Sequence, residues 1–374
     1  MPGRLSILGT RGIPAAHGGF ETFAERLALY LSGRGWDVTV YCQAEQPREK
    51  RGSGEPRVST WRGIRLVTLS SRLDGPLGTI SFDWRSVGHA LRGDSLVLTL
   101  GYNTAAFGVR YRMAGMTQLI NMDGIEWKRD KWPLHARVWL RLNEWLGARL
   151  ATHLIADHPA IGSRLSRLTR LDRITMIPYG ADAVETADPG VLRRLGLEPG
   201  RFLTVIARPE PENSLLEIVQ AFSAARRHCR LVVLGQLRPD RVPYHARVQA
   251  VASDEVVFPG AIYDGDDVAA LRLHCRAYLH GHRVGGTNPS LVEALGAGCP
   301  VIAHDNVFNR WVAGEAGRFF RSMDDLRALF DALLEDPTTL TAMGREARAR
   351  HRARFTWARV LGEYEVLLER YVNA

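Results

Sequence analysis

Lysine is nearly missing from this chain. Of 49 basic residues almost all are arginine, with lysine at Lys50, Lys128 and Lys131, against 40 acidic residues. The formal charge of +9 and isoelectric point near 9.7 suit an anionic partner such as nucleotide phosphates, a membrane surface or nucleic acid. An arginine-rich composition with a merely solvated basic surface produces the same balance. Cysteine is also scarce: Cys42, Cys229, Cys275 and Cys299 lie far apart without a CxxC pair. That excludes a disulfide framework and leaves them as small core residues in a reducing compartment. No apolar run reaches the length of about 18 residues that a membrane-spanning helix needs. The chain opens on the strand-like "RLSILGT" without the apolar region of a signal peptide, so a cytoplasmic protein is expected. Low-complexity tracts, short-period repeats and metal-ligand spacings are missing as well. His280 and His282 form an HxH pair for which the sequence offers no third ligand. The basic stretch "GREARARHRARF" from Gly344 is interrupted by Glu346 and has no aromatic platform, so a solvated helix face is expected there rather than a nucleic-acid arm.

What is present is a soluble globular composition, 45% hydrophobic and 24% charged over 374 residues, too long for one ordinary core. Short apolar strands alternate with amphipathic helices: "LSILGT", "DVTVYC", "IRLVTLS", "SLVLTLG", "QLINMDG", "HLIAD" and "ITMIPYG", then "FLTVIAR", "RLVVLGQ", "EVVFPGAI", "AYLHGH" and "PVIAHD". This pattern predicts α/β architecture with doubly wound, Rossmann-like parallel sheets. Two Pro-Gly turn signals and no long apolar run mark a linker. The expected division is an acceptor-side domain over 1–182, a linker over 183–200, a nucleotide-sugar-binding domain over 201–354, and a closing helix over 355–374 that packs back on the first domain. Two such domains would face each other across a cleft, with ligands beyond the carboxyl ends of the strands.

The stretch "HGHRVGGTNPSLVEALGAGCPVIAHD" from His280 places Gly285, Gly286, Thr287 and Asn288 before an apolar helix with Pro289 in its first turn. Glycines allow close backbone approach, and a helix start presents free N–H groups to an anion. Those four residues suit a diphosphate, and Glu293 suits the paired hydroxyls of a ribose. A tight capped turn, with Glu293 favouring the helix dipole, would read the same way.

"GGTNPSLVEALGAGCPVIAHD" resembles the donor-binding signature of glycosyltransferase family 4, whose members have the GT-B fold. The resemblance extends through "LGTRGIPAAHGGFETFAERLA", "NMDGIEWKRDKW", "LIADHPAI", "IPYGAD" and "ARPEPENSLLEIVQAF", and is similar to the subgroup containing bacterial polysaccharide rhamnosyltransferases. It implies a nucleoside diphosphate sugar, dTDP-rhamnose foremost, as co-substrate and no cofactor. It also implies a lipid-linked glycan as acceptor, peripheral contact with the inner membrane surface, and retention of configuration. No DxD motif falls in the expected site, in keeping with metal independence. Departures matter: the first of the family's two glutamates falls on Gly285, and the Arg-x4-Lys pair becomes Arg208 and Asn213. Arg208 would then share the phosphate charge with backbone amides and with Arg283. In "AAHGGFE", Gly18 and Gly19 would border the donor phosphates, while His17 and Glu21 suit an ordinary helix start equally well.

Acid–base candidates sit at strand ends, where a side chain reaches the reacting centre. Asp123 follows "LINM", Asp157 ends "HLIAD" and Tyr179 ends "ITMIPY". Each also has an ordinary use as a helix cap or a packed phenol. His153 and His158 read as structural. On the acceptor side, Glu126, Trp127 and Lys128 open the aromatic-basic stretch "EWKRDKWPLHARVWLRL", which suits an apolar tail and a phosphate at a membrane surface; Trp132 and Trp139 belong to it, Trp139 equally as core. Two other functions fit the same residues: a non-catalytic sugar-nucleotide-binding subunit and a nucleotide-sugar epimerase on the same fold.

Overall fold

The structure, a computed structural model, describes residues 3–15, 18–44, 55–71 and 73–372. The chain forms two compact units: Met1–Lys128, Trp132–Pro178 and Ala358–Ala374 make the first, and Arg129–Lys131 with Tyr179–Trp357 the second.

The first unit contains β1 (Arg4–Leu8), α1 (Gly19–Ser32), β2 (Asp37–Gln43), β3 (Arg57–Trp61), β4 (Ile64–Leu69), α2 (Gly75–Ala90), β5 (Leu96–Leu100), α3 (Gly108–Met113), β6 (Gln118–Asn121), α4 (Leu134–Leu150), β7 (His153–Ala156), α5 (Pro159–Leu165) and β8 (Ile174–Met176). Its sheet runs β3-β4-β2-β1-β5-β6-β7-β8. All pairs are parallel except β3–β4. The antiparallel edge strand β3 was not expected. "RVSTW" is almost wholly exposed and has no apolar signal; Arg62 and Gly63, both with positive φ, make the tight two-residue turn that folds it onto β4. Residues Phe23, Ala24, Leu27, Ala28 and Leu31 form the buried stripe of α1, at the 3.6-residue spacing that seats a helix on a sheet.

The second unit contains α6 (Gly190–Arg194), β9 (Phe202–Ile206), α7 (Leu215–Ser223), β10 (Arg230–Leu234), α8 (Pro243–Ala250), β11 (Val256–Gly260), α9 (Gly265–Leu273), β12 (Ala277–His280), α10 (Pro289–Gly296), β13 (Val301–His304), α11 (Val307–Ala313), β14 (Gly317–Phe320), α12 (Met323–Leu333) and α13 (Pro337–Arg354). Its all-parallel sheet runs β11-β10-β9-β12-β13-β14. Residues 183–200, expected to be a linker, belong to this unit. Val191, Leu192 and Leu197 are buried in its core with Ala270 and Leu271 of α9; the turn signals around them are real, but these apolar residues give the segment a face to bury.

The order of connections defines a switch point in each sheet. In the first, β1 leads to β2 on one side and β5 to β6 on the other; in the second, β9 leads to β10 and β12 to β13. The loops after β1 and β5, and after β9 and β12, therefore part at the carboxyl ends and leave a crevice between them. Among the described residues no helix is long and apolar enough to cross a membrane. All four cysteines are buried free thiols.

The last helix, α14 (Trp357–Val372), leaves Trp357 in the second unit and lays its remaining residues on the first. Val360, Leu361, Tyr364, Leu367 and Leu368 form its buried stripe. Tyr364 packs on Phe23 with ring centroids 4.7 Å apart, and its hydroxyl accepts a 2.8 Å bond from Asn121 Nδ2. Burying an amide whose partner has been removed costs about 1–3 kcal/mol. Tyr364→Phe should therefore lower the unfolding free energy of the first unit by that amount, read from denaturant midpoints; an unchanged midpoint would mean that Asn121 is satisfied otherwise.

Candidate functional site

In the second unit the crevice lies between β9 and β12. Ser290 Oγ and Tyr278 Oη each lie 3.3 Å from the Ile206 carbonyl as donors, which ties the first turn of α10 to the end of β9. Arg208, two residues beyond that end, is exposed. Its carbonyl accepts a 2.8 Å bond from Asn213 Nδ2, but no acceptor among the described residues engages its guanidinium. Asn213, expected as a donor ligand, is buried and fixes the turn that presents Arg208. Gly285 opens on empty space, with nothing within 4 Å of where a Cβ would stand. Gly286 shares its irregular loop, and Thr287 is buried. The Asn288 side chain caps α10 by accepting from Ser290 N at 3.0 Å, so its carboxamide oxygen serves the helix and not a ligand.

Two charged groups are committed in ways the sequence did not reveal. Glu293 Oε2 pairs with Arg272 of α9, whose side chain is buried; a guanidinium on α9 and a carboxylate on α10 cannot be matched by spacing alone. Half of the Glu293 carboxylate is left for a ligand, since the pair uses one oxygen. Arg283 is held by Glu217 at 2.6 Å and by Ser214 Oγ at 2.9 Å, which turns it away from a shared phosphate role. Below the loop, His280 is buried with both ring nitrogens lacking hydrogen-bond partners and stacks on His282 at 4.3 Å. Burial holds both imidazoles neutral, and with Arg129 and Arg208 nearby lowers His282 to about 3. Among the described residues no group of three or more potential ligands gathers for a metal.

In the first unit Asp123 and Asp157 each lie two residues past paired positions, Asn121 and Ile155, on adjacent parallel strands. The two carboxylate positions therefore sit side by side at the carboxyl ends of β6 and β7. Asp123 has positive φ, and its amide is pinned by Asn121 Oδ1 at 3.0 Å. Tyr179 opens the second unit, its ring edge-on to Trp357 at 5.0 Å. His153 and His158 are structural as expected. His153 bridges Thr175 and Tyr371 at 2.8 Å each, and burial lowers it to about 4; His158 caps α5.

Gly18 caps α1 with φ 110°, and a Cβ there would stand 2.2 Å from Glu21 Oε2. Glu21 accepts from Arg11 N at 3.1 Å and Glu25 from Ala15 N at 2.6 Å. Glu21 thus laces the loop after β1 onto α1, while Gly19 is the first helical residue; His17 lies outside the described residues. On the expected acceptor side Trp127 is caged. Its indole donates to Glu144 at 3.1 Å, and Arg164, itself paired with Glu144 at 2.6 Å, covers its ring along with Arg141 and Lys128. Trp127 is therefore a half-buried member of a charge network in which only Glu144 is buried. Glu126 accepts from Trp132 Nε1 at 3.4 Å, and Lys128 is exposed.

Residues 4–182 match a domain family of unknown function, DUF1972, and residues 215–365 match the family described as glycosyl transferase-like. The architecture is shared with sucrose-phosphate synthase from Thermosynechococcus elongatus at a TM-score of 0.81, 18% identity and 99% coverage of both chains. It is shared also with Anabaena HepE solved in complex with UDP-glucose (0.76, 17%, 98% of this chain and 99% of that one). A third likeness is to WaaG, a glycosyltransferase involved in lipopolysaccharide biosynthesis (0.72, 15%, 98% and 99%). The chain has the GT-B fold. Among curated proteins none matches it in sequence.

In this GT-B chain the first unit also holds a lined concavity at its switch point. Two adjoining cavities of about 310 and 860 Å³ share Arg11, Gln43, Thr79, Asn103, Thr104 and Trp132. Trp139, expected either as acceptor contact or as core, lines the larger one and donates from its indole to the Asn103 carbonyl at 2.9 Å. Asp83, on α2, lines the smaller one and accepts from Thr104 Oγ1 at 2.8 Å. Burial raises its carboxyl to about 6, against a smaller lowering by Thr104. Within a helix "FDW" reads as a solvated position, so nothing in the sequence marked it.

A raised carboxyl means that the folded chain holds more protons than the unfolded chain between about pH 4 and 6. Stability from this group is present at low pH and falls as pH rises through that window. Asp83→Asn should accordingly be more stable than the parent at pH 7.5, by about 1–3 kcal/mol, with the advantage gone at pH 4. Denaturation midpoints across that range would reject the assignment if the difference between the two proteins stayed constant.

Proposed function

We propose that this GT-B protein is a glycosyltransferase that takes a sugar from a nucleoside diphosphate donor. The donor is dTDP-rhamnose, and the acceptor is a hydroxyl of a lipid-linked glycan in bacterial polysaccharide assembly, at the cytoplasmic face of the membrane. The observation that carries this reading is the uncommitted Arg208 guanidinium at a switch point shared with the open Gly285 loop and the start of α10. Support comes from the glycosyl transferase-like match over that unit, from HepE, a protein of the same fold solved with UDP-glucose, and from WaaG, involved in lipopolysaccharide biosynthesis. The rhamnosyl choice rests on the resemblance of "GGTNPSLVEALGAGCPVIAHD" to the rhamnosyltransferase subgroup.

In this reading the bond from the anomeric carbon to the diphosphate breaks, and the acceptor oxygen bonds that carbon with retention. The acceptor proton leaves to a base. Arg208, the loop over 285–288 and the positive end of the α10 dipole meet the charge that grows on the leaving diphosphate, without a metal. The free oxygen of Glu293 takes the ribose hydroxyls. Asp157, with Asp123 beside it, receives or relays the acceptor proton, and Tyr179 orients the donor. Gly285 in place of the family's first glutamate leaves room by a sugar that lacks one hydroxyl.

Isothermal titration with dTDP-rhamnose and mass spectrometry of products on a lipid-diphosphate acceptor test this. A charge-assisted contact contributes about 1.5–3 kcal/mol. Arg208→Ala should weaken donor binding about tenfold or more, whereas Arg283→Ala, whose cation is already tied to Glu217, should leave it nearly unchanged. Asp157→Asn should bind donor normally and form no product one deoxyhexose heavier. Equal binding by Arg208→Ala would remove the donor assignment, and normal turnover by Asp157→Asn the catalytic one.

A further inference from the structure

The helix α4 presents large apolar side chains outward. Its buried side carries Leu140, Gly147 and Ala148 with the polar Asn143 and Glu144, while Leu134, Val138, Leu142 and Trp145 face outward at 78%, 60%, 47% and 41% exposure. These positions recur at intervals of four and three, so they form one stripe. Arg149 continues it one turn later, its guanidinium stacked 4.4 Å over the Trp145 ring. An outward row of large apolar side chains on a helix with buried polar ones is not explained by the core; such surfaces mark an interaction site.

The stripe runs into a concavity of about 710 Å³ lined by Arg112, Arg149, Arg167, Arg170 and Arg173, with Ser166 and Thr169 among its hydroxyls. It lies at the amino ends of β6, β7 and β8, because α4 ends just before β7 and Arg173 just before β8. That is the opposite edge of the sheet from Asp123 and Asp157. Its positive charge is barely compensated: among the described residues Arg170 alone of the five has a carboxylate partner, Asp172 at 2.7 Å. Arg112 and Arg173 are instead held in place by backbone carbonyls, Arg149 and Thr152 accepting at 3.0 and 3.2 Å. Exposed Met113 and Leu171 stand next to Arg112 and Arg170 in the chain.

We propose that the outward face of α4 and this arginine concavity together dock the first unit on an anionic phospholipid bilayer. Charge complementarity selects acidic headgroups, and the apolar stripe enters the boundary between headgroups and acyl chains. A soluble polyanion such as nucleic acid would satisfy the arginines but leave Leu134, Val138, Leu142 and Trp145 in water. The surface deepens the reading of a lipid-linked acceptor given above, yet it uses none of the donor residues.

Vesicle co-sedimentation of the full chain, with phosphatidylglycerol-containing and pure phosphatidylcholine vesicles, tests this. The parent should bind the anionic vesicles at least tenfold more tightly than the neutral ones, less so as salt rises. Arg149→Ser with Arg167→Ser, and separately Leu142→Ser with Trp145→Ser, should each lose at least tenfold. Both double variants should titrate dTDP-rhamnose like the parent, so that a failed donor assignment and a failed docking surface give different results. No binding to anionic vesicles, equal binding by the variants, or heparin binding without vesicle binding would overturn the proposal. Should a variant misfold by circular dichroism, quenching of the parent's fluorescence by brominated lipid, reduced in Trp145→Phe, decides instead; quenching unchanged in Trp145→Phe would overturn it.

Discussion

Parallel strands cannot be joined at one end. Each must be followed by a crossover, so every loop that can carry chemistry in this chain leaves from the carboxyl ends of its strands. Whichever pair of neighbouring strands sends its crossovers in opposite directions opens a crevice there. In the second unit that pair is β9 and β12, and Arg208 and the Gly285 loop are the segments that follow them. In the first it is β1 and β5, and Gly9, Thr10, Arg11, Gly101, Asn103 and Thr104 line the cavity found there. The packing rule that buries both faces of the sheets is thus also the rule that assembles the candidate sites. Gly9 shows how tight the junction is: its φ is positive, and a Cβ would meet the Leu100 carbonyl at 2.1 Å, so β1 and β5 could not approach with any other residue.

The abundance of arginine makes the pairing of each guanidinium the next constraint. Near the donor loop four gather, and three are spoken for: Arg129 by Glu212, Arg272 by Glu293 and Arg283 by Glu217. A buried carboxylate or guanidinium left single is costly, which is why Glu144 is met twice over, by Arg164 and by the Trp127 indole. Asp83 has no such cation beside it, and burial raises its carboxyl.

The α/β class and most strands were legible because parallel strands covered on both faces are continuous apolar runs, and α1 and α14 because their stripes recur at the helical period. Illegible were β3, an exposed edge strand held by a turn, and α6, whose few apolar residues sit among turn signals. The strand-end aspartates were found because position along a strand is readable from the run before them. Partners across elements were not: neither Arg272 for Glu293 nor Thr104 for Asp83 follows from any spacing, and the capping role of the Asn288 side chain depends on where the helix begins.

Arginine, unlike lysine, keeps a free edge after one edge has been used. Arg149 stacks on Trp145, Arg110 on Trp84 at 4.4 Å and Arg164 on Trp127 at 4.9 Å, each through the flat face of a weakly hydrated cation. Such a group can be fixed by an aromatic ring or a carbonyl and still present donors in its plane to a phosphate oxygen. A lysine in the same place would spend its point charge on whichever partner it met first. The near-absence of lysine is therefore more than a habit of composition at these positions. Among the described residues Arg208 of the donor crevice and four of the five arginines around the concavity carry a charge that no carboxylate neutralises, and the guanidinium is the side chain whose geometry lets such a charge rest on a ring or a carbonyl.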